Sequence, residues 1–260
     1  MTDGLDADST DLEARDRALF NRIAADYGRK DLMPASRKAR RHRLRQTLRH
    51  LPSAQDLDVL EVGCGAGFAA SYLEGHYRSY LGIDYATDLI SFGRTHNQRP
   101  GAAFEAMNAR DIPSDRVFDV IFMIGVLHHL ENAAEMLRQL IGNLKPGGWI
   151  VVNEPQRTNP LIHGMRTIRR RVDSSYSEDQ LEYSISELED LFAKAGFSQV
   201  DTHPQGVFST PFAEVVMPVQ PVAQMISAAA CGVDTWLERH AARVIKHLAW
   251  NVVVSGRKPD

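Results

Sequence analysis

The chain has 260 residues, 43% of them hydrophobic and 24% charged, with a formal net charge of −3. That length suits one large α/β domain with small appendages, and the composition is that of an ordinary soluble globular protein. The balance of charge excludes a global attraction to nucleic acid or anionic membrane, so any such contact must come from a local patch.

Met1 to Asp16 is acidic and polar, without a basic start and a following apolar run, which argues against a secretory signal. Residues 1–10 are expected as a disordered tail, and residues 11–52 as a helical segment. Apolar residues at Leu12, Leu19, Ile23 and Tyr27 have a loose helical spacing. Ser36 then stands as the N-cap of a second helix from Arg37 to Leu51. That helix carries Arg37, Lys38, Arg40, Arg41, Arg43, Arg45 and Arg49, which wrap around much of its surface. A solvated face is the default for such a run; an anionic substrate group or RNA phosphate is the sharper alternative.

From residue 53 the text alternates between strands and helices. Leu57–Val62 reads as a short apolar strand, Gly63-Cys64-Gly65-Ala66-Gly67 as a turn, and Phe68 to His76 as a helix. Tyr80–Asp84 is a second strand, Ala86 to Asn97 a helix, Ala102–Met107 a third strand, and Phe118–Ile124 a strong fourth. A helix from Ala133 stops at Lys145-Pro146-Gly147-Gly148, and Trp149–Asn153 makes a fifth strand. This alternation predicts a parallel sheet with helices on both faces. After Glu154 the pattern loosens to Tyr183, with an arginine cluster at Arg166 and Arg169 to Arg171. Ser186 is expected to cap a helix ending at Gly196. Strands six and seven fall at Phe197–Thr202 and Trp250–Ser255, with an apolar insertion of two helices between them, over 207–246.

The two cysteines are Cys64, inside the glycine turn, and Cys231, so no disulfide framework is expected and a reducing, cytoplasmic compartment is the default. The glycine turn itself lets backbone approach a ligand closely. Its spacing is not that of the dinucleotide fingerprint, because Phe68 stands where that motif needs glycine or alanine, and no Gly-Lys-Ser/Thr follows to make a P-loop.

Glu61-Val62-Gly63-Cys64-Gly65-Ala66-Gly67 resembles the first motif, E/D-x-G-x-G-x-G, of the class I S-adenosylmethionine (SAM)-dependent methyltransferases. The resemblance runs in register from about Asp56 to Pro155. Asp84 stands in the place of the family's ribose-binding acid, and Asn108-Ala109 where the family usually has Asp-Ala beside the adenine amine. Phe118–Ile121, Val126–Leu130 and Leu144-Lys145-Pro146-Gly147-Gly148 match further family text. The resemblance implies SAM as cofactor, S-adenosylhomocysteine as product, and a sheet of order 3-2-1-4-5-7-6 with strand seven antiparallel. It also implies that the glycine turn and Glu61 bracket the methionine portion of SAM. Tyr85 would lie beside the adenine, with Met123, Ile124 and Gly125 near the sulfonium.

Phe20 to Tyr27 resembles the N-terminal lid of several small-molecule methyltransferases, so 11–52 is expected as a lid with Tyr27 over the cofactor. For the acceptor, a hydroxyl benefits from a base, and His128 and His129 follow strand four at the edge where open α/β sheets bind ligands. His128 is the first candidate, His129 the second, and Glu154 at the end of strand five the other. No metal-ligand spacing accompanies the histidine pair, and no metal is expected. The nearly uncharged run from Phe208 to Gly232, with Phe208, Phe212, Val215, Val216, Met217, Val222, Met225 and Ile226, is expected to cap the acceptor pocket as the wall of an enclosed apolar cavity. Its prolines and glutamines argue against a membrane span, while peripheral membrane contact stays open. The expected activity is methylation of a small, hydrophobic or lipid-like metabolite at oxygen by a monomer or homodimer. The alternative is an RNA or protein methyltransferase docking through the 37–49 helix.

Overall fold

The computed structural model describes residues 6–51, 56–130, 132–157, 159 and 183–259. Seven strands form one sheet: β1 (Leu57–Val62), β2 (Tyr77–Asp84), β3 (Ala102–Ala106), β4 (Phe118–Ile124), β5 (Leu144–Pro155), β6 (Ser198–Gln205) and β7 (Asn251–Arg257). Their order is β3-β2-β1-β4-β5-β7-β6. The pairs β1/β2, β1/β4, β2/β3 and β4/β5 are parallel, whereas β7 runs antiparallel to both β5 and β6. The sheet has the predicted order and the predicted reversed strand.

The central strands are apolar on both faces because both faces are covered. Along β4, Ile121 and Met123 join a core with Leu137 and Leu140 of α5 (Ala133–Gly142) and Phe192 of a later helix, while Val120 and Phe122 join the opposite core with Tyr80, Phe104 and Leu44. The later helix, α6 (Ile185–Ala195), begins at a capping box in which Ser184 and Glu187 bond reciprocally, and ends at Gly196 with φ 100°. The cap is therefore Ser184 rather than Ser186, since only Ser184 lies three residues before a glutamate that returns the bond.

Several predicted boundaries move. After the glycine turn, α3 spans only Ala69–Tyr72, stopped before Gly75 at φ 84°. The next helix, α4, spans Thr87–His96. Leu144 to Gly148 is not a loop after α5 but the start of β5, with a register shift absorbing Gly147 at φ 69°. The N-terminal helix α1 runs Asp6–Arg29, so the tail expected over 1–10 is helical from Asp6; residues 1–5 lie outside the described residues. Acidic residues favour a helix N-terminus as readily as a solvated tail. A second helix, α2, spans Pro34–Thr47 with Pro34 in its first turn and Met33 as N-cap, leaving the expected cap Ser36 buried inside the helix. The cluster Arg166 and Arg169–Arg171 lies outside the described residues.

The insertion forms three helices: α7 (Thr210–Glu214), α8 (Gln220–His240) and α9 (Ala242–Ile245). Along its buried side α8 carries Ala223, Ser227, Ala230 and Cys231, small residues that let it lie close to α2, and Ser227 Oγ donates to the Ala35 carbonyl at 2.9 Å. Its other side exposes Val222, Met225, Ile226, Val233 and Trp236. No helix among the described residues is long and apolar enough to cross a membrane.

Candidate functional site

Gly63, Gly65 and Gly67 follow β1 with φ of 68°, 53° and 71°, the left-handed region that side chains resist. Each is also closely approached. A Cβ on Gly63 would meet the Val126 side chain at 2.4 Å, one on Gly65 the Tyr27 ring at 3.3 Å, and one on Gly67 the Phe104 ring at 2.2 Å. Gly67 therefore serves packing, whereas Gly63 and Gly65 border a cavity at the carboxyl edge of the sheet. Asp84, at the end of β2, ties the turn down: its Oδ2 accepts from Gly65 N and its Oδ1 from Ala86 N, both at 2.9 Å. It is buried.

The cavity is bordered by Gly63, Gly65, Asp84, Tyr85, Asn108, Ala109, Ile124, Gly125 and Tyr27, nine of the residues expected to hold a cofactor. Four expected residues are placed elsewhere. Met123 is fully buried in the core over α5, because alternate residues of a strand face opposite sides and Ile124 takes the cavity side. The Cys64 side chain packs in the core against the Gly82 backbone, and burial pushes its thiol well up. Gly67 faces Phe104. Glu61 lies buried below the turn, where Tyr80 O–H donates to it; burial, with Asp31 and Asp84 adding, pushes its carboxyl up to about 8. Asn108 also caps a short turn through Arg110 N at 3.0 Å.

One wall comes from α1. Phe20 meets the rings of Tyr27, Tyr85 and His129 edge-on, at centroid distances of 6.1, 6.5 and 5.8 Å. Behind Tyr27 stands the arginine-rich helix. The Arg40 guanidinium lies 5.0 Å from the Tyr27 ring centre, pairs with Asp31, and donates through Nε to the Ala213 carbonyl at 3.1 Å. Tyr72 O–H donates to the other Asp31 oxygen at 2.7 Å. Arg43 pairs with Glu214 at 2.6 Å; against the effect of burial, Arg43 and Arg40 hold that carboxyl at about 2. Two arginines of the run thus face inward, while Arg37, Arg41 and Arg45 are exposed. The insertion packs on α2, and none of its residues borders this cavity. Phe208, Val215, Val216, Val222, Met225 and Ile226 are exposed instead of walling an enclosed apolar space. For Val222, Met225 and Ile226 the physical reason is that α8 turns its small-residue side to α2, so its large apolar side chains point outward.

The three catalytic candidates and Asp16 form two linked pairs. Glu154, fully buried, accepts from Val126 N at 2.9 Å and Leu127 N at 2.8 Å with Oε1, and contacts His128 Nδ1 at 2.6 Å with Oε2. With both oxygens engaged it is placed to orient the loop after β4 rather than to face a substrate. His129 borders the cavity, and its Nδ1 lies 2.9 Å from Asp16 Oδ2 of α1. Its ring stands 4.1 Å from that of His128. Asp16 and Phe20 were not singled out from the sequence. The Phe20 signal was present in the lid text, whereas Asp16 lies in an acidic stretch that reads as solvent-exposed.

Residues 36–202 match a protein family described as a methyltransferase domain. The chain is 27% identical over 111 residues to a ubiquinone biosynthesis O-methyltransferase of Rickettsia felis, covering 42% of this chain and 46% of that one. It is 33% identical over 129 residues to a fatty-acid O-methyltransferase of Mycolicibacterium smegmatis, covering 47% of each. The match thus spans less than half the length of either relative. A solved SAM-dependent methyltransferase of Thermotoga maritima shares the fold with a TM-score of 0.63 at 19% identity, over 93% of this chain and 98% of that one.

Proposed function

Because the chain belongs to the methyltransferase domain family, we propose that it transfers a methyl group from S-adenosylmethionine to a hydroxyl oxygen of a small, hydrophobic or lipid-like metabolite. The cofactor suits the residues present. Gly63 and Gly65 keep open a cradle that side chains would fill, and Asp84 retains lone pairs beyond its two backbone bonds for vicinal ribose hydroxyls. Bound there, SAM supplies an electrophilic methyl group on a sulfonium.

The arrangement that carries the reading is the His128–Glu154 pair beside Gly125. A carboxylate at Nδ1 takes that nitrogen's proton as a hydrogen bond and leaves Nε2 bare, the tautomer a general base needs. With SAM held at the glycine turn and Asp84 to supply the methyl group, His128 Nε2 would accept the proton that the acceptor hydroxyl gives up. Glu154 is a positioning residue in this scheme, and His129 with Asp16 holds α1 against the loop. Phe20, Val126 and Leu130 give the cavity an apolar border, and the fatty-acid and ubiquinone relatives favour a lipid-like acceptor.

A labelled-methyl assay on extract sorted into lipid, small polar, RNA and protein pools tests the acceptor, with label expected in the lipid pool. Label in RNA or protein would move the reading to docking through the exposed arginines of α2. With an acceptor in hand, His128→Ala should lower kcat by roughly 10²–10⁴-fold while sparing cofactor binding. A loss under about threefold, far below what a general base contributes, would return His128 to a packing role.

A further inference from the structure

A second group of ligand-type side chains lies away from the cavity, where α2 packs on α8. His42 of α2 and Asp234 and Glu238 of α8 are all buried, and one ligand atom from each lies within 4.8 Å of the other two. Asp234 and Glu238 are four residues apart, so they share one face of the helix. Asp234 is held by the backbone that enters the insertion, accepting from Val207 N at 3.1 Å, Phe208 N at 3.0 Å and Ser209 N at 2.8 Å, and from Ser209 Oγ at 2.6 Å. Glu238 Oε1 accepts from Gly206 N at 2.8 Å.

Two atoms of the group are left over. His42 Nε2 and Glu238 Oε2 are buried without a hydrogen-bond partner, on residues only 8% and 2% exposed. Buried polar atoms are nearly always paired, so two orphans in one cluster point to a third party that bonds both. A shared proton would serve those two atoms alone. A divalent cation serves both and also offsets the negative charge that Asp234 and Glu238 bring together out of water. That crowding is felt already: burial first, then Asp234, pushes the Glu238 carboxyl up to about 7. Burial lowers His42, with Arg45 and Lys38 adding and Asp234 acting against it. Arg49 stands near Glu238 and acts against its rise, and it is occupied in part by the Glu238 carbonyl at 3.5 Å.

We propose that His42, Asp234 and Glu238 form a zinc site that fastens the insertion helix α8 to the arginine-rich helix α2. One imidazole and two carboxylates are a ligand set that Zn²⁺ accepts, and the backbone N–H groups on the remaining carboxylate lone pairs supply the orienting outer layer. The role is structural, because the group is buried and none of the three residues borders the cavity at the glycine turn. This inference is independent of the acceptor proposed above.

The test uses the full chain without an affinity tag, stripped with chelator and dialysed against ZnCl₂, with metal measured by mass spectrometry and Co²⁺ substitution followed by visible absorption. One zinc per chain is expected, together with a rise in Tm on adding Zn²⁺. His42→Gln and Glu238→Gln should each weaken binding at least about tenfold and abolish the Tm response. His50→Ala should change neither, which separates this group from the neighbouring His50, Asp201 and His203 set. Should one variant fail to fold, the other carries the test, with circular dichroism and cofactor binding as controls. Absence of zinc binding by the wild type, or binding unchanged in either folded variant, overturns the proposal and leaves a proton shared between His42 and Glu238.

Discussion

Asp84 carries a structural duty as well as a place at the cavity. Its two oxygens satisfy the buried N–H groups of Gly65 and Ala86, so they hold the glycine turn to the end of β2. Asp84→Ala should therefore weaken SAM binding by about 1.5–3 kcal/mol and also cost roughly 1–3 kcal/mol of stability, since it orphans buried donors. Calorimetry and denaturant unfolding check the two effects separately; unchanged stability would make those N–H bonds dispensable. The position of Asp84 was legible in the sequence, and its burial was not, because the partner Gly65 comes from a different strand–helix turn. Glu61 invites a different measurement. With its carboxyl pushed up to about 8, it is largely protonated at pH 7. If it meets the cofactor's ammonium, as the family resemblance implies, that charge favours the carboxylate and lowers the pKa. Binding at pH 7 should then release a proton, read as a dependence of the calorimetric enthalpy on the buffer's ionisation heat, and Glu61→Gln should remove it. Equal heats in all buffers would place Glu61 away from the charge.

At the scale of elements, α1 closes one wall of the cavity and is latched there by Asp16 on His129 and by Phe20 among three rings. Asp16→Asn should weaken this latch by about 0.5–1.5 kcal/mol, the net worth of an ordinary hydrogen bond. The effect should appear mainly as a several-fold faster release of S-adenosylhomocysteine in stopped-flow traces. An unchanged release rate would mean that α1 holds its place without the bond. The helix itself was legible from its apolar spacing, and Tyr27 from the lid text; the latch was not, since its partners are 113 residues apart. The insertion shows the opposite failure. Its apolar run was plain in the sequence, yet which side faces inward depended on small residues, Ala223, Ser227, Ala230 and Cys231, that pack on α2. Hydrophobicity alone pointed to the larger side chains, and those are on the outside. The spacing of Asp234 and Glu238 was also visible, but nothing nearby in the chain announced His42.

For the whole molecule, alternating strands and helices were enough to foresee a parallel sheet, while the reversed β7 followed only from the family resemblance. No local spacing distinguishes a strand that adds to an edge from one that enters between two others. That insertion has a consequence for how the sheet comes apart. Among the described residues β6 is hydrogen-bonded to no strand but β7, whereas β1 to β4 are joined by direct parallel pairings. Local openings of a native protein follow such cooperative units. Once β7 leaves β5, β6 goes with it, and both strands lose their backbone protection together. In native-state hydrogen exchange at low denaturant, amides of β6 and β7 should thus share one opening free energy, lower than that of β1 and β4. If β6 exchanged well before β7, the pair would be a frayed edge rather than a hinged leaf. Should they open as one, binding at the glycine turn would leave their exchange nearly untouched, and the sheet would consist of a firm half that holds the cofactor and a half that breathes beside it.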